Sequence, residues 1–422
     1  TRLLAQFSIF VLVYFLLLGS LSDFLSFAGI DKSGNFDVYS PYIPLVIFCV
    51  LLQGFLVMLS VTNHRIVIPD LIRNIIQKIY FPLIIVLKFT FNLSTEIFII
   101  LFFLYYFITI PLLFWYVLKN KFIQIKNSKP IVFLESEKKE IRSYNGFSLL
   151  NDISTQLSFK LDSVMVASLI NLTQTGIYGI MFYMSNVLST ATGSILNITN
   201  PIVSKKMADN DIEGVSVLYK KSSITLLIFG LGVFFCLWFL IHDILSLTKY
   251  SEQLLVGKYV FLYLAIAKIF DMATSINSFI LIYSKYYRYN LVFVGILGVC
   301  NIFLNLALIP KYGIEGAAIA SLVALVFYNV LKLFFILIKL KIHPFSIDTL
   351  KVLAIGSISF AILFFIPEGK YVGNAYLNLG LKGIIVVGTV GITFALPIYI
   401  LNISQEINGL VNKALSKLKI LK

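Results

Sequence analysis

The stretch that decides the fold is residues 301–333, which read NIFLNLALIPKYGIEGAAIASLVALVFYNVLKL. Two apolar runs, 291–309 and 315–338, meet here at a short polar turn that contains Pro310 and Gly313. A helix needs roughly 20 mainly apolar residues to cross the hydrocarbon of a bilayer, and each run is close to that length. The stretch therefore predicts two membrane-spanning helices joined by a tight turn.

The rest of the chain repeats this pattern. Its 422 residues are 59% hydrophobic and 13% charged, with a mean hydropathy of +0.93, whereas soluble domains are about a quarter charged. This composition excludes a soluble globular domain and a disordered chain. We therefore predict an all-α polytopic membrane protein with twelve visible spans: 3–20, 42–61, 76–93, 97–118, 147–170, 177–201, 222–241, 258–283, 291–309, 315–338, 350–366 and 377–401.

The basic residues predict the orientation of these spans. The chain holds 34 Lys and Arg against 20 Asp and Glu, a formal charge of +14. In a soluble chain this excess would suggest nucleic-acid binding, but in a membrane protein Lys and Arg mark the cytoplasmic loops. With the N-terminus inside, most basic residues fall in cytoplasmic segments, the basic C-terminal tail among them. The acidic loop 23–37 then lies outside, and no nucleic-acid partner is expected.

The longest polar stretch, Lys119–Arg142, divides the chain. We expect an incomplete N-terminal lobe of four spans (1–118), a cytoplasmic linker (119–146), a C-terminal lobe of six spans (147–341), and two further spans with a basic tail (342–422). The segments that start at Gly54 and Ser278 share a span end, a basic loop and a new span, and repeated halves are typical of transporters. If the repeat is real, two helices precede Thr1 in the complete protein.

Catalytic motifs are missing from the sequence: it has no P-loop, no nucleotide-binding glycine motif after a strand, no HExxH and no GxSxG. We therefore expect a protein that is not an enzyme and has no cofactor or bound metal. Asp209-Asn210-Asp211 matches a short metal motif of sugar transferases, but we interpret it as part of a solvated loop of about eighteen residues between spans. Cys49, Cys236 and Cys300 lie in apolar runs, and we interpret them as core residues.

Ionisable residues inside spans are the strongest candidates for function, because hydrocarbon makes them costly. Lys160 and Asp162 lie in the 147–170 span, two residues apart, so they point away from each other and cannot pair. Lys268 and Asp271 lie one turn apart in the 258–283 span, on one stripe with Ser275 and Ser278. This stripe is either a self-neutralised pair between helices, a charged cavity wall or an ion site. Lys332 is expected to snorkel to a span end.

A polar face runs along the 177–201 span and ends at Pro201. Its members are Asn186, Thr190, Gly193, Asn197 and Asn200, at helical spacings of three and four. Such a face either holds helices together or lines water.

Three segments resemble one family, the polysaccharide-exporter branch of the multidrug/oligosaccharidyl-lipid/polysaccharide exporter superfamily. In residues 301–333 the likeness lies in IPKYGIEGAA, which follows the family pattern IPxYGIxGAA. The segment 161–180, LDSVMVASLINLTQTGIYGI, is similar to the seventh-helix signature of the family, and 257–290 fits the same pattern. Members usually have fourteen spans, so the resemblance also implies that the first two are missing here.

The resemblance implies a MATE-like, two-lobed bundle with inverted-V alternating access. It implies a flippase that moves an undecaprenyl-diphosphate-linked oligosaccharide, the repeat unit of O-antigen, capsule or exopolysaccharide, to the outer leaflet of a bacterial inner membrane. Membrane lipids, a polysaccharide polymerase and chain-length machinery would be its partners. Lys160 and Lys268 become candidates for the diphosphate and the asparagines for the sugar. The full set of candidate cavity residues is Lys160, Asp162, Asn186, Asn197, Asn200, Lys268 and Asp271.

Other functions stay open on the sequence. A cation-coupled multidrug exporter of the same superfamily would favour acidic sites, whereas the candidates here have mixed charge. A membrane-embedded polysaccharide polymerase or ligase usually has a long outside loop with catalytic Arg or His, and no such loop is predicted. A purely structural membrane protein would leave the polar face unexplained. Coupling to Na⁺ or H⁺ is compatible with the sequence but cannot be read from it.

Overall fold

The computed structural model describes residues 40–62, 65, 67–120, 135, 146, 160–367 and 375–420. Within these residues the regular structure is helical, without a strand. The chain forms two compact units, unit 1 (Thr1–Phe133) and unit 2 (Leu134–Lys422). The expected first span 3–20, the acidic loop 23–37 and nearly all of the expected linker 119–146 lie outside the described residues.

The described part of unit 1 contains three long helices: α1 (Ile43–Thr62), α2 (Ile76–Phe91) and α3 (Thr95–Lys119). They match the predicted spans 42–61, 76–93 and 97–118. The Ser94 side chain starts α3 by accepting a hydrogen bond from the Ile97 amide at 3.4 Å, which satisfies one of the free amides of the first turn.

Apolar and aromatic side chains fill the space between the helices of unit 1. Phe81 of α2 stacks on Phe102 of α3 with ring centroids 5.2 Å apart. The buried Gln53 amide of α1 donates to the Tyr105 hydroxyl and to Thr109 Oγ1 of α3, both at 3.1 Å. A buried amide is tolerated in this apolar setting because it is hydrogen-bonded.

Unit 2 is larger and also consists of helices. Its labelled helices are α4 (described residues 160–169), α5 (Leu172–Leu188), α6 (Thr190–Ala208), α7 (Ile212–Ser246), α8 (Lys258–Thr274), α9 (Asn277–Ile282), α10 (Tyr287–Leu340), α11 (Ile347–Leu363), α12 (Ala375–Val390) and α13 (Gln405–Ile420). After α12 the chain stays helical to Ile400. The predicted spans 350–366 and 377–401 correspond to α11 and to the helical run from α12 to Ile400.

The turn predicted inside 301–333 is present. Gly313 interrupts α10 with φ 59° and ψ −138°, a backbone conformation that is essentially restricted to glycine. The first arm (287–312) and the second arm (314–340) then pack against each other, as the hydrogen bond from Asn301 to Ser321 at 3.4 Å shows. These arms contain the predicted spans 291–309 and 315–338.

Three predictions about unit 2 need correction. The span 177–201 is not one helix, because a turn at Ser189 separates α5 from α6. The helix does not end at Pro201, and α6 reaches Ala208 while α7 begins at Ile212, so the expected long loop shrinks to a short turn. The predicted span 258–283 is broken at Ser275, whose φ of 48° and ψ of −109° are not helical.

Five helices of the described residues are long and apolar enough, by length and composition, to cross a membrane. They are Ile43–Ser60, Glu96–Lys119, Ile212–Ser246, Tyr287–Leu340 and Ala375–Ile400. The fourth of these is the pair of arms joined at Gly313. The chain is thus an all-α polytopic membrane protein, as predicted.

Candidate functional site

A buried carboxylate lies at the junction of three helices of unit 2. Asp162 of α4 is only 3% exposed. Its Oδ2 accepts a hydrogen bond from the Tyr178 hydroxyl of α5 at 2.9 Å, and its Oδ1 accepts one from Asn305 Nδ2 of α10 at 2.8 Å. The Ser321 hydroxyl, on the second arm of α10, also donates to Oδ2. Three donors thus stabilise a carboxylate that would otherwise be very costly in this setting.

A second layer of amides surrounds these contacts. Asn305 Nδ2 also donates to Asn301 Oδ1 at 2.7 Å, and Asn301 donates in turn to Ser321 Oγ. Both asparagines are buried, and Asn305 Oδ1 has no hydrogen-bond partner among the described residues. We call Asp162, Tyr178, Asn301, Asn305 and Ser321 the Asp162 cluster.

The side chains of the Asp162 cluster carry oxygen atoms of the kinds that suit a hard cation. Carboxylate, amide and hydroxyl oxygens are the groups that such ions prefer in proteins. Asn305 Oδ1 is a buried acceptor without a hydrogen-bond partner among the described residues. The Nδ2 atom of the same amide donates to the Asp162 carboxylate. Among the described residues no group of three or more His, Cys, Asp or Glu side chains could hold a metal ion, so a transition-metal centre has no support there.

A chain of hydrogen bonds connects Asp271 to a buried lysine. Asn329 Nδ2 donates to Asp271 Oδ1 at 3.0 Å, and Asn277 Nδ2 donates to Asn329 Oδ1 at 2.9 Å. Ser278 Oγ donates to Asn277 Oδ1 at 3.4 Å, and Lys332 Nζ donates to Ser278 Oγ at 2.6 Å. This Asp271 chain links α8, α9 and α10 beside the break at residue 275.

Lys332 does not snorkel, contrary to the expectation from its place near a span end. It is 1% exposed, and its ammonium lies 3.9 Å from the centroid of the Tyr328 ring. Within the described residues no carboxylate is within ion-pair distance of it. The Ser278 hydroxyl and the aromatic face therefore replace water as its immediate surroundings.

A third buried polar group ties the last spans to the body of unit 2. Lys382 Nζ of α12 lies 2.7 Å from Asp243 Oδ2 of α7, and Asn378 Nδ2 donates to Asp243 Oδ1 at 3.1 Å. All three side chains are buried. This ion pair is hydrogen-bonded on both carboxylate oxygens, which is the condition under which a buried pair is tolerated.

The predicted cationic candidates lie outside the Asp162 cluster. Lys160 is exposed, and no described carboxylate is paired with it. Lys268 is half-buried on α8, one turn before Asp271, with its ammonium 5.9 Å from the centroid of the Phe182 ring.

The predicted asparagine face is divided between two helices. Asn186 is half-buried on α5, before the turn at Ser189, whereas Asn197 and Asn200 lie on α6. Asn200 Oδ1 is buried without a hydrogen-bond partner. The face is therefore not one continuous stripe, although α6 keeps part of it.

The Asp209–Asp211 segment acts as a helix cap. Asp211 Oδ1 accepts a hydrogen bond from the Gly214 amide at 2.8 Å, and Lys206 Nζ lies 2.6 Å from Asp211 Oδ2. The hydrogen bond from Lys206, with that from the Gly214 amide, lowers the pKa of Asp211. This segment therefore starts α7 and needs no metal to account for it.

Comparison with solved structures finds a similar fold in the lipid II flippase MurJ in its inward closed conformation. The chains are 21% identical, the match covers 93% of this chain and 83% of MurJ, and the TM-score is 0.63. No known family profile and no curated protein matches the chain. The likeness confirms the predicted fold class.

Several polar residues of these clusters escaped the sequence analysis. Asn301 and Asn305 stand four apart in the very stretch that decides the fold, a spacing that could have marked them as one face. Asp243 and Lys382 are ionisable residues inside apolar segments, which is the criterion that identified Asp162 in the sequence. Their pairing has no local signature, because the partners are 139 residues apart.

Proposed function

We propose that this chain is a transporter that flips a lipid-linked precursor across the membrane by alternating access. The observation that carries the proposal is the fold similarity to a lipid II flippase over 93% of the chain. The buried ionisable groups of unit 2 add support, because intramembrane charges usually serve an ion or substrate path. The same similarity favours a transporter over a membrane enzyme.

The proposed substrate is an undecaprenyl-diphosphate-linked oligosaccharide, flipped to the outer leaflet of a bacterial inner membrane. The resemblance of 301–333 to polysaccharide exporters supports this choice. Exposed Lys160 and half-buried Lys268 would meet the diphosphate, while Asn186 and Asn200 would offer hydrogen-bonding groups for sugars. The C-terminus would be cytoplasmic, and a polymerase with chain-length machinery would use the product.

Complementation of cells that lack a flippase tests which substrate the protein transports. The full-length protein is expressed in a strain without its oligosaccharide flippase and in a strain depleted of its lipid II flippase. We expect surface polysaccharide to return in the first strain and growth to fail in the second. Rescue of lipid II export alone would contradict the substrate. Resistance to cationic drugs with rescue of neither strain would instead support the multidrug exporter.

We also propose that the Asp162 cluster holds the coupling cation. Asp162 would supply the charge, and Asn301, Asn305 and Ser321 would supply neutral oxygens. The support is chemical: all these side chains are buried around one carboxylate, and Asn305 Oδ1 has no other partner. A bound monovalent cation would neutralise the carboxylate and join α4 to both arms of α10.

Thermal unfolding in detergent tests whether the Asp162 cluster binds sodium. Sodium that binds only the folded protein should raise the melting temperature of the wild type relative to choline buffer. Asp162→Asn should lose this sodium effect, whereas Asp209→Asn, in the turn before α7, should keep it. A sodium effect of equal size in Asp162→Asn would contradict the assignment.

A further inference from the structure

An open cleft of about 610 Å³ lies between α6 and α7 of unit 2. Apolar side chains form most of its wall: Ile195, Ile198 and Ile202 come from α6, and Leu218 and Phe229 from α7. Ile198 is 69% exposed and Ile202 is 41% exposed. A cleft with such walls on an apolar helix pair suits a hydrocarbon chain, since burial of these side chains by lipid is favourable.

Opposite charges meet at one end of this cleft. Lys221 Nζ of α7 lies 3.9 Å from Glu406 Oε1 of α13, and both side chains are nearly half exposed. Thr225 Oγ1 donates to Glu406 Oε2 at 3.4 Å, which fixes the carboxylate against α7. The cleft therefore has an apolar body and a mouth that carries one ammonium and one carboxylate.

A polar cavity of about 300 Å³ continues from this mouth. Lys221 and Glu406 line both spaces. The other polar residues of the cavity are Lys220, Ser346, Asp348, Asn402, Ser404 and Gln405. Two lysines and two carboxylates thus surround the cavity, and Asp348 is also paired with Lys351 at 2.8 Å. A purely anionic headgroup would meet repulsion from Glu406, whereas a zwitterionic headgroup finds a partner for each of its charges.

The sequence pattern of α13 is typical of a helix at the level of lipid headgroups, and the mouth lies beside the first turn of this helix. Ile407, Leu410, Val411, Ala414 and Leu415 recur along this helix at spacings of one, three and four, and Lys413, Lys417 and Lys419 fall between or beyond them. Short basic helices with this pattern lie in the membrane interface. Glu406 belongs to the first turn of α13 and therefore lies at that depth.

We propose that the cleft and cavity bind a phospholipid with an ethanolamine headgroup. One acyl chain occupies the cleft, the phosphate meets Lys221, and the primary ammonium meets Glu406. The residues of the cleft on α6 are about half a helical turn from Asn197 and Asn200. The lipid site is therefore distinct from the proposed substrate face and holds a resident lipid.

Native mass spectrometry of the full-length protein tests the site. The protein is mixed with phosphatidylethanolamine, phosphatidylcholine or phosphatidylglycerol of identical acyl chains. We expect preferential retention of phosphatidylethanolamine by about fivefold, the effect of one partly exposed charge contact. The choline headgroup has no N–H group that could donate a hydrogen bond to Glu406. The glycerol headgroup has no positive charge.

Four variants and a control locate the lipid. Glu406→Gln should abolish the preference for phosphatidylethanolamine over phosphatidylglycerol, Lys221→Gln should weaken retention of both, and Ile198→Trp should reduce retention by filling the cleft. Lys249→Gln, an exposed lysine elsewhere in unit 2, should change nothing. Glu406→Asp should keep the preference, which separates charge from misfolding.

Two outcomes would overturn the proposal. Equal retention of the three phospholipids by the wild type would show that the charges at the mouth do not select the headgroup. Displacement of phosphatidylethanolamine by undecaprenyl phosphate, sensitive to Ile198→Trp, would assign the cleft to the transported lipid. The flippase proposal survives the first outcome, because it rests on other residues.

Discussion

Asp162 and Lys332 are both buried in unit 2, but their surroundings differ. Asp162 accepts hydrogen bonds from three side chains, whereas Lys332 contacts the Ser278 hydroxyl and the Tyr328 ring. A charge with several donors is much less costly to bury than one with a single neutral partner. The two residues should therefore respond in opposite ways to apolar replacement.

Substitutions in the Asp271 chain test the same principle, with Asn329 as the buried group that has several partners. Asn329→Leu removes the donor to Asp271 and the acceptor of Asn277, and each buried group left unpaired costs about 1–3 kcal/mol. Lys332→Met removes an isolated charge and keeps the length of the side chain, so stability should stay equal or rise. Melting temperatures in detergent would measure both. A larger loss for Lys332→Met than for Asn329→Leu would show that the lysine charge is compensated.

Lys160 is exposed, which makes it the accessible candidate for the diphosphate. Because an exposed charge contact is worth about 1 kcal/mol or less, we expect Lys160→Gln to reduce the apparent affinity for a lipid diphosphate up to about fivefold. Lys160→Arg should retain most of the affinity, and Lys249→Gln should have no effect. Unchanged flipping by well-expressed Lys160→Gln would remove the residue from the site.

Asp162 and Asp271 could be found in the sequence because any carboxylate in an apolar span is costly. Their partners could not. Asn305 lies 143 residues from Asp162 along the chain, and Asn329 lies 58 residues from Asp271. Such contacts depend on how helices pack, and a single sequence contains no signal for that packing.

Breaks within helices divide the elements of unit 2 in ways that hydropathy misses. The turns at Ser189 and Ser275 fall inside segments long enough to span a membrane, and hydropathy therefore predicted single spans there. Gly313 follows Pro310 and a polar pair, and there the sequence predicted the turn correctly. A glycine marks a backbone conformation directly, whereas a serine can adopt a turn only where the surrounding packing supports it.

Gly313 should be far more sensitive to substitution than Gly295 of the same helix. Its φ of 59° and ψ of −138° are strained for any residue with a Cβ, so Gly313→Ala should destabilise the protein by about 1–3 kcal/mol. Gly295 lies in the first arm, where a methyl group in place of its Cα hydrogen would meet no atom of another residue within 4 Å. Gly295→Ala should be neutral or stabilise the helix by up to about 1 kcal/mol. Equal melting temperatures for the two variants would contradict the turn at Gly313.

At the scale of the whole molecule, composition and span lengths were enough to predict the all-α polytopic fold, which the similarity to MurJ confirms. The candidate site was predicted less completely. Asp162 could be identified because a charged residue in an apolar span is costly. The cluster around it and the buried pair of Asp243 with Lys382 depend on long-range packing. The substrate depends on a motif resemblance and therefore needs a direct measurement.

That measurement is flipping in vesicles. The full-length protein is reconstituted with a fluorescent undecaprenyl-diphosphate oligosaccharide, and a membrane-impermeant quencher reports the fraction in the outer leaflet over time. We predict transfer between leaflets that is faster than in protein-free vesicles, needs the diphosphate, and is lost in Asp162→Asn. Transfer no faster than in protein-free vesicles, by a preparation that moves a cationic drug, would contradict the account.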